Sequence, residues 1–221
     1  MNIIITGGSK GIGFEIVKRL YENNKITILS RTLGKLNPEI IKSENINWIE
    51  VDLSDESKYG FIREQLKEKS FDILINNAAG GAHTKIQKFN MKKITESINL
   101  NIKQVMWITH IISKNMIKNK TGLIINIASI HALTGNPNSS LYSATKFALR
   151  GFSESLYYEL KKHNIKVTTI YPDYVNTDLL PNNIRGREKM LQPSSMAILI
   201  ENIIKLPKEM IIKDLTVSST L

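Results

Sequence analysis

Tyr142 and Lys146 stand four residues apart in the stretch Leu141-Tyr142-Ser143-Ala144-Thr145-Lys146. On a helix that spacing sets both side chains on one face. The pairing has a chemical use. A free tyrosine titrates near 10 and is a poor base at neutral pH, while a lysine ammonium nearby favours the phenolate. Bringing the phenol towards 7 would take roughly 4 kcal/mol of preferential stabilisation. Upstream, the apolar run Leu123–Ala128 ends at Ser129, whose hydroxyl can donate to a reacting oxygen. A tyrosine four before a lysine is common by itself. It gains weight here from the serine and from a glycine-rich turn at the start of the chain.

That turn is Thr6-Gly7-Gly8-Ser9-Lys10-Gly11-Ile12-Gly13. It follows Ile3-Ile4-Ile5, a continuous apolar run that reads as a strand buried on both faces. After it, Phe14, Val17 and Leu20 offer one apolar side at helical spacing. Strand, glycine turn and helix together suit a pyrophosphate, because a helix start presents free N–H groups and the positive dipole end. In such a unit an acid about twenty residues beyond the glycines holds the ribose 2′-hydroxyl, whereas an arginine accommodates a 2′-phosphate. Here the second strand, Lys25–Ser30, ends on Ser30 and is followed by Arg31, with no acid. Lys10 is a second cation inside the turn. Both argue for NADP(H) over NAD(H), with NAD(H) as the secondary choice.

The remaining elements must position these groups. Ile46–Val51 reads as a third strand, followed by Asp52-Leu53-Ser54-Asp55. Asp55 or Ser54 can cap a helix running to about Lys69, and Asp52 can instead face an adenine amino group. Phe71–Ile75 is a fourth strand, ending in Asn76-Asn77-Ala78-Ala79-Gly80-Gly81. Small residues there permit close approach of a planar ligand, and asparagine side chains tie neighbouring backbones together. Ile94, Ile98, Ile102, Val105, Ile108 and Ile112 recur at helical spacing, giving one long helix from about Met91 to Lys118. Asn101 lies on or near that stripe, either as a satisfied buried amide or as a site residue. A helix over Ser139–His163, a sixth strand over Ile165–Tyr171, a helix from Pro193 to about Ile204 and a last strand over Met210–Val217 complete the chain. Strands alternating with helices predict right-handed crossovers and an α/β, doubly wound parallel sheet of about seven strands with helices on both faces.

Composition narrows the classes. The 221 residues, 42% hydrophobic and 23% charged, are those of one globular domain spanning 1–221. No run approaches the length needed to span a membrane, and because the amino terminus enters a strand directly, no signal peptide is expected. The absence of cysteine excludes disulfides, thiolate catalysis and a cysteine-based zinc site. A cytoplasmic location follows as the expectation. The formal charge is +10, but its lysines are scattered, with no aromatic-interleaved basic stripe. No nucleic-acid or membrane partner is expected. His83, His110, His131 and His163 are dispersed and suggest no metal; His131 is placed to line a pocket.

Taken in order, these motifs resemble the short-chain dehydrogenase/reductases, in their single-domain NAD(P)-dependent branch, over Asn2 to about Val217. Thr6–Gly13 looks like the family's TGxxxGxG turn. Asn76-Asn77-Ala78 looks like its NNAG motif, with Ala79 where glycine is usual. Asn101–Val105 matches the segment of its catalytic asparagine. Ser129, Tyr142 and Lys146 match its serine and YxxxK, with the same separation of serine and tyrosine. Pro172-Asp173-Tyr174-Val175-Asn176-Thr177 resembles its PGxVxT stretch beside the nicotinamide, with Asp173 replacing glycine.

The resemblance implies a Rossmann-type fold and a carbonyl or alcohol as small-molecule substrate. It implies Tyr142 as general acid/base, Lys146 as the group that lowers its pKa and binds the nicotinamide ribose, Ser129 on the substrate carbonyl, and Asn101 in a water relay. It implies a cofactor site made by Gly7, Ser9, Lys10, Gly11, Ile12, Ser30, Arg31, Asp52, Leu53, Asn76, Ala78, Tyr142, Lys146, Pro172, Val175 and Thr177. It also implies a homodimer or homotetramer built on the Met91–Lys118 and Ser139–His163 helices. The leading reading is an NADP(H)-dependent carbonyl reductase or alcohol dehydrogenase. A second resembles the 3-oxoacyl-carrier-protein reductases, where a basic surface would attract acidic carrier helices. A third is a nucleotide-sensing regulator without turnover, from which the tyrosine or lysine would be expected to be missing. Substrate choice is expected in the Ile130–Leu141 and Asn176–Met190 loops, and the polar segment Asn176–Lys189 would close over substrate.

Overall fold

The computed structural model describes residues 1–34, 36–81, 85–180 and 185–220. Seven strands form one sheet: β1 (Asn2–Thr6), β2 (Lys25–Ser30), β3 (Ile46–Glu50), β4 (Ile73–Asn76), β5 (Gly122–Ile127), β6 (Ile165–Pro172) and β7 (Asp214–Val217). They lie in the order β3-β2-β1-β4-β5-β6-β7 with every neighbouring pair parallel. The chain winds outward from β1 to β3, crosses back to β4, and then winds the other way. In sheets of this kind ligands bind at the carboxyl ends of the strands beside that reversal.

Among the described residues seven α-helices accompany the sheet: α1 (Gly11–Leu20), α2 (Pro38–Lys42), α3 (Tyr59–Leu66), α4 (Met91–Ile98), α5 (Gln104–Asn119), α6 (Ser140–Lys161) and α7 (Pro193–Ile204). Ile3 and Ile5 pack into one core with α1 and α7, while Ile4 packs into the opposite core with α3, α5 and α6. A strand sandwiched in this way has no polar face, which is why β1 reads as an unbroken apolar run.

Three elements differ from the sequence reading. The helix expected over Met91–Lys118 is interrupted by a π-helical stretch, Asn99–Lys103, between α4 and α5. The apolar periodicity runs straight through it, because one extra residue per turn displaces the stripe only slightly. The last strand is limited to Asp214–Val217, since only those residues pair with β6. The helix α2 was not expected. It is one turn long, too short for a periodic pattern, yet it carries its own start signal: the Asn37 side chain accepts from the Ile40 N–H at 2.9 Å and Pro38 opens the turn. Before α3, Asp55 caps a single 3₁₀ turn by accepting from the Ser57 N–H at 3.0 Å.

Candidate active site

A cleft of about 1230 Å³ opens at the carboxyl ends of β1, β4, β5 and β6. One wall is the glycine turn. At Gly13 an added Cβ would lie 2.2 Å from the Gly7 carbonyl oxygen and 2.5 Å from Asn77 Nδ2, so no other residue fits where α1 crosses the turn. The turn is stitched to the loop after β4. Thr6 Oγ1 accepts from the Asn77 and Ala78 N–H groups, both at 3.0 Å, and Asn77 Nδ2 donates to the Thr6 and Gly7 carbonyls at 3.0 and 2.9 Å. No side chain caps the start of α1, and Ser9, Lys10, Gly11 and Ile12 line the cleft there.

Around this end the structure gathers Gly7, Ser30, Arg31, Asp52 and Leu53. The Ser30 hydroxyl donates to the Thr32 carbonyl at 2.7 Å. Asp52 accepts from the Ser54 N–H and hydroxyl, and its carboxylate lies 3.9 Å from the Arg31 guanidinium.

The far end holds Ser129, Tyr142 and Lys146. Strand β5 delivers Ser129, whose Oγ accepts from the His131 N–H at 3.2 Å and starts a 3₁₀ turn. Tyr142 and Lys146 sit in the first two turns of α6 on its inner face, 5% and 2% exposed. Lys146 Nζ lies 5.5 Å from the centroid of the Tyr142 ring and donates to the Ile127 carbonyl at 3.1 Å. Burial pulls the lysine down to about 8. The phenol moves opposite to the expected direction: burial pushes it up to about 12, against a smaller lowering from its hydrogen bond with Ser129. Desolvation of the phenolate outweighs a lysine whose ammonium is turned to a backbone carbonyl. His131, buried in the same corner, meets the Tyr142 ring edge-on at 5.5 Å and has Nδ1 3.4 Å from Ser143 Oγ.

Pro172, Asp173, Val175 and Thr177 line the cleft between the two ends. Their loop is held from outside by Arg187, which donates to Asn176 Oδ1 at 2.8 Å and to the Thr177 carbonyl at 2.6 Å. The exposed Tyr174 and Leu179 and the buried Leu180 add apolar lining. The middle of the loop expected to close over substrate, residues 181–184, falls outside the described residues, as does His83.

Two of the expected site residues lie behind the cleft. Asn76 is buried under the sheet's end, donating to Thr109 Oγ1 at 3.2 Å and Asn126 Oδ1 at 2.8 Å; its neighbour Asn77 lines the cleft instead. Because side chains alternate along β4, adjacent asparagines face opposite ways, and the motif alone does not say which one faces the ligand. Asn101, 1% exposed, spends its amide on the backbone: Oδ1 accepts from the Gly80 N–H at 3.0 Å, and Nδ2 donates to the Gly80 carbonyl at 2.9 Å and Ser97 Oγ at 3.1 Å. The side-chain amide is thus satisfied by protein partners. Through Gly80 it fixes a wall of the cleft. Sequence reasoning missed Gly34 and Thr32 at the Arg31 end; the positive φ of Gly34 had a signal in its residue type alone.

Among the described residues no helix is long and apolar enough to cross a membrane. The short chain dehydrogenase family model matches residues 1–188. A 3-oxoacyl-[acyl-carrier-protein] reductase of Chlamydia trachomatis is 30% identical over 184 residues, 80% of this chain and 74% of that protein. A 3alpha-hydroxysteroid dehydrogenase of Mediterraneibacter gnavus is 30% identical over 187 residues, with the same shares of each chain. Among solved structures, ElxO with NADP bound superposes with a TM-score of 0.82 at 27% identity, covering 97% of this chain and 96% of that one.

Proposed function

The chain belongs to the short-chain dehydrogenase family, and we propose that it is an NADP(H)-dependent oxidoreductase interconverting a carbonyl and a secondary alcohol. One observation carries the reading: Ser129, Tyr142 and Lys146 converge at one end of a cleft whose other end presents Lys10 and Arg31.

The residues fit a dinucleotide. The cleft exceeds the roughly 300–1,000 Å³ of ordinary ligand pockets, and its wall at Gly13 is a cradle that a Cβ would fill. The uncapped start of α1 at Ser9–Ile12 would hold a pyrophosphate, Lys10 and Arg31 a 2′-phosphate, Asp52 and Leu53 the adenine, and Ala78, Pro172, Val175 and Thr177 the nicotinamide end. NADP(H), when bound, supplies or accepts the hydride. The NADP in the solved ElxO is consistent with NADP(H) binding; the choice over NAD(H) rests on Lys10 and Arg31.

The protein's own work is on the proton. In reduction the Ser129 hydroxyl holds the carbonyl oxygen and the Tyr142 phenol gives it a proton. A phenol held near 12 stays protonated at neutral pH and is ready as the acid. In oxidation the same phenol must become phenolate inside a dry pocket, and Lys146 beneath its ring supplies the compensating charge. Asn101 keeps the Gly80 wall in register while this happens. The exposed Met106 and Phe147, on α5 and α6, support assembly as a homodimer or homotetramer through these helices, and the absence of cysteine fits a reducing cytoplasm.

A second reading, reduction of a 3-oxoacyl thioester on a carrier protein, is favoured by the named Chlamydia relative and by the +10 charge that would attract an acidic carrier. The test is NADPH oxidation against ketones, aldehydes, sugars and acyl thioesters. Turnover of any of them supports the proposal, and thioester preference selects the second reading. Tight NADPH binding without turnover over the whole panel would overturn it in favour of a sensor.

A further inference from the structure

The loop after β2 meets the glycine turn at Gly34. Gly34 has φ +59°, and a Cβ added to it would lie 2.2 Å from the Ser9 carbonyl oxygen. A side chain at position 34 is therefore opposed twice, by backbone conformation and by the approach itself. The loop is anchored on both sides of this contact. Ser30 Oγ ties back to the Thr32 carbonyl, Leu33 packs against the α1–α7 core, and Leu36 is buried within it. Ser9 and Gly34 thus touch with little freedom to slide.

The contact joins the two segments that bear cations. Lys10 follows Ser9 directly, and Arg31 precedes Gly34 by three residues. All of Ser9, Lys10, Arg31, Thr32 and Gly34 line the same end of the cleft. Arg31 is largely exposed, and its ion pair with Asp52 is long, at 3.9 Å. Such a pair holds a side chain weakly, so the reach of Arg31 is governed by where the loop backbone stands.

We propose that Gly34 is a positioning residue for the phosphate-reading end of the cleft: its contact with Ser9 sets the spacing of Lys10 and Arg31 so that both grip one phosphate monoester on the adenosine ribose. The inference rests on the NADP(H) reading and adds to it a residue that need not touch the cofactor. A methyl group at position 34 must lift the loop from Ser9 and widen the gap between the cations. The loss should then fall on ligands that carry the 2′-phosphate and spare those that do not.

Equilibrium binding of NADPH and NADH to the full chain, followed by nicotinamide fluorescence beside a thermal melt, tests this. Gly34→Ala should weaken NADPH by roughly tenfold or more, the scale of lost charge-assisted hydrogen bonds, and leave NADH within about twofold. Combined with Arg31→Ala it should cost little beyond Arg31→Ala alone, because both remove the same grip. Equal weakening of both cofactors, or losses that multiply, would overturn the proposal. Should Gly34→Ala fail to fold, the pair Lys10→Ala and Arg31→Ala decides: cations spaced to share one phosphate give a double loss clearly smaller than the product of the single losses, and a simple product overturns it. A wild-type protein that binds NADPH no tighter than NADH overturns the NADP(H) reading and this inference together, whereas wild-type preference with an unaffected Gly34→Ala variant sinks this inference alone.

Discussion

Lys146 Nζ stands 5.5 Å from the centre of the Tyr142 ring while it donates to the Ile127 carbonyl at 3.1 Å. The lysine is therefore pinned by the end of β5, not by the phenol, and both groups are paying the desolvation cost of nearly complete burial. Their pKa values move in the senses that disfavour charge on each, up for the tyrosine and down for the lysine. The phenol keeps its proton far above neutral pH, and the ammonium, still mostly charged at neutrality, gives its proton up more readily than an ordinary lysine.

From that arrangement Tyr142→Phe is expected to bind NADPH as the parent does and to lose turnover by roughly a hundredfold or more, the usual contribution of a positioned acid or base. The ring packing survives and only the hydroxyl goes. Single-turnover kinetics beside a cofactor titration check this, and near-parental turnover would remove the phenol from the mechanism.

Stability should rise with pH just above neutrality. Burial pulls Lys146 down to about 8 in the folded protein, from the ordinary lysine value of 10.5 when unfolded, so between those values the unfolded chain holds a proton that the folded chain has released, and raising the pH favours folding. The gap corresponds to roughly 3 kcal/mol at its upper limit. The tyrosines act in the opposite sense, since Tyr59 and Tyr142 are raised to about 12, but only above about pH 10. Urea midpoints at pH 7.5 and 9.5 should thus increase for the parent, and Lys146→Met should flatten that increase.

Gly13→Ala should disrupt the cofactor turn without touching the catalytic end. Its Cβ has the Gly7 carbonyl at 2.2 Å and Asn77 Nδ2 at 2.5 Å, and the neighbours are backbone and a doubly bonded amide, neither free to yield. Overpacking of this kind costs about 1–3 kcal/mol. A lowered melting temperature together with weakened binding of both NADPH and NADH is the expected pair of results.

Asn101→Ala leaves the Gly80 N–H and carbonyl without their partner. Unpaired buried polar groups cost about 1–3 kcal/mol each, with some relief as water enters. The loop after β4 should exchange its amide protons faster while α6 keeps its protection, and hydrogen exchange resolved by residue separates this local loosening from global destabilisation.

How much of this was legible beforehand can be seen at particular residues. The glycine turn, the buried strands and the four-residue step from Tyr142 to Lys146 are local: 2.0- and 3.6-residue periodicities and the steric demands of a turn are written in adjacent residues. They determined the doubly wound sheet, its parallel sense and the residues at its carboxyl ends. Tertiary structure alone decided which of Asn76 and Asn77 faces the cleft, that Asn101 spends its amide on Gly80, and that Gly34 rests on Ser9. It also decided that burial drives the phenol upward despite its lysine neighbour. Each of those outcomes depends on distances between segments far apart in the chain and on how much water is excluded around a charge, and neither quantity is encoded in spacing along the sequence.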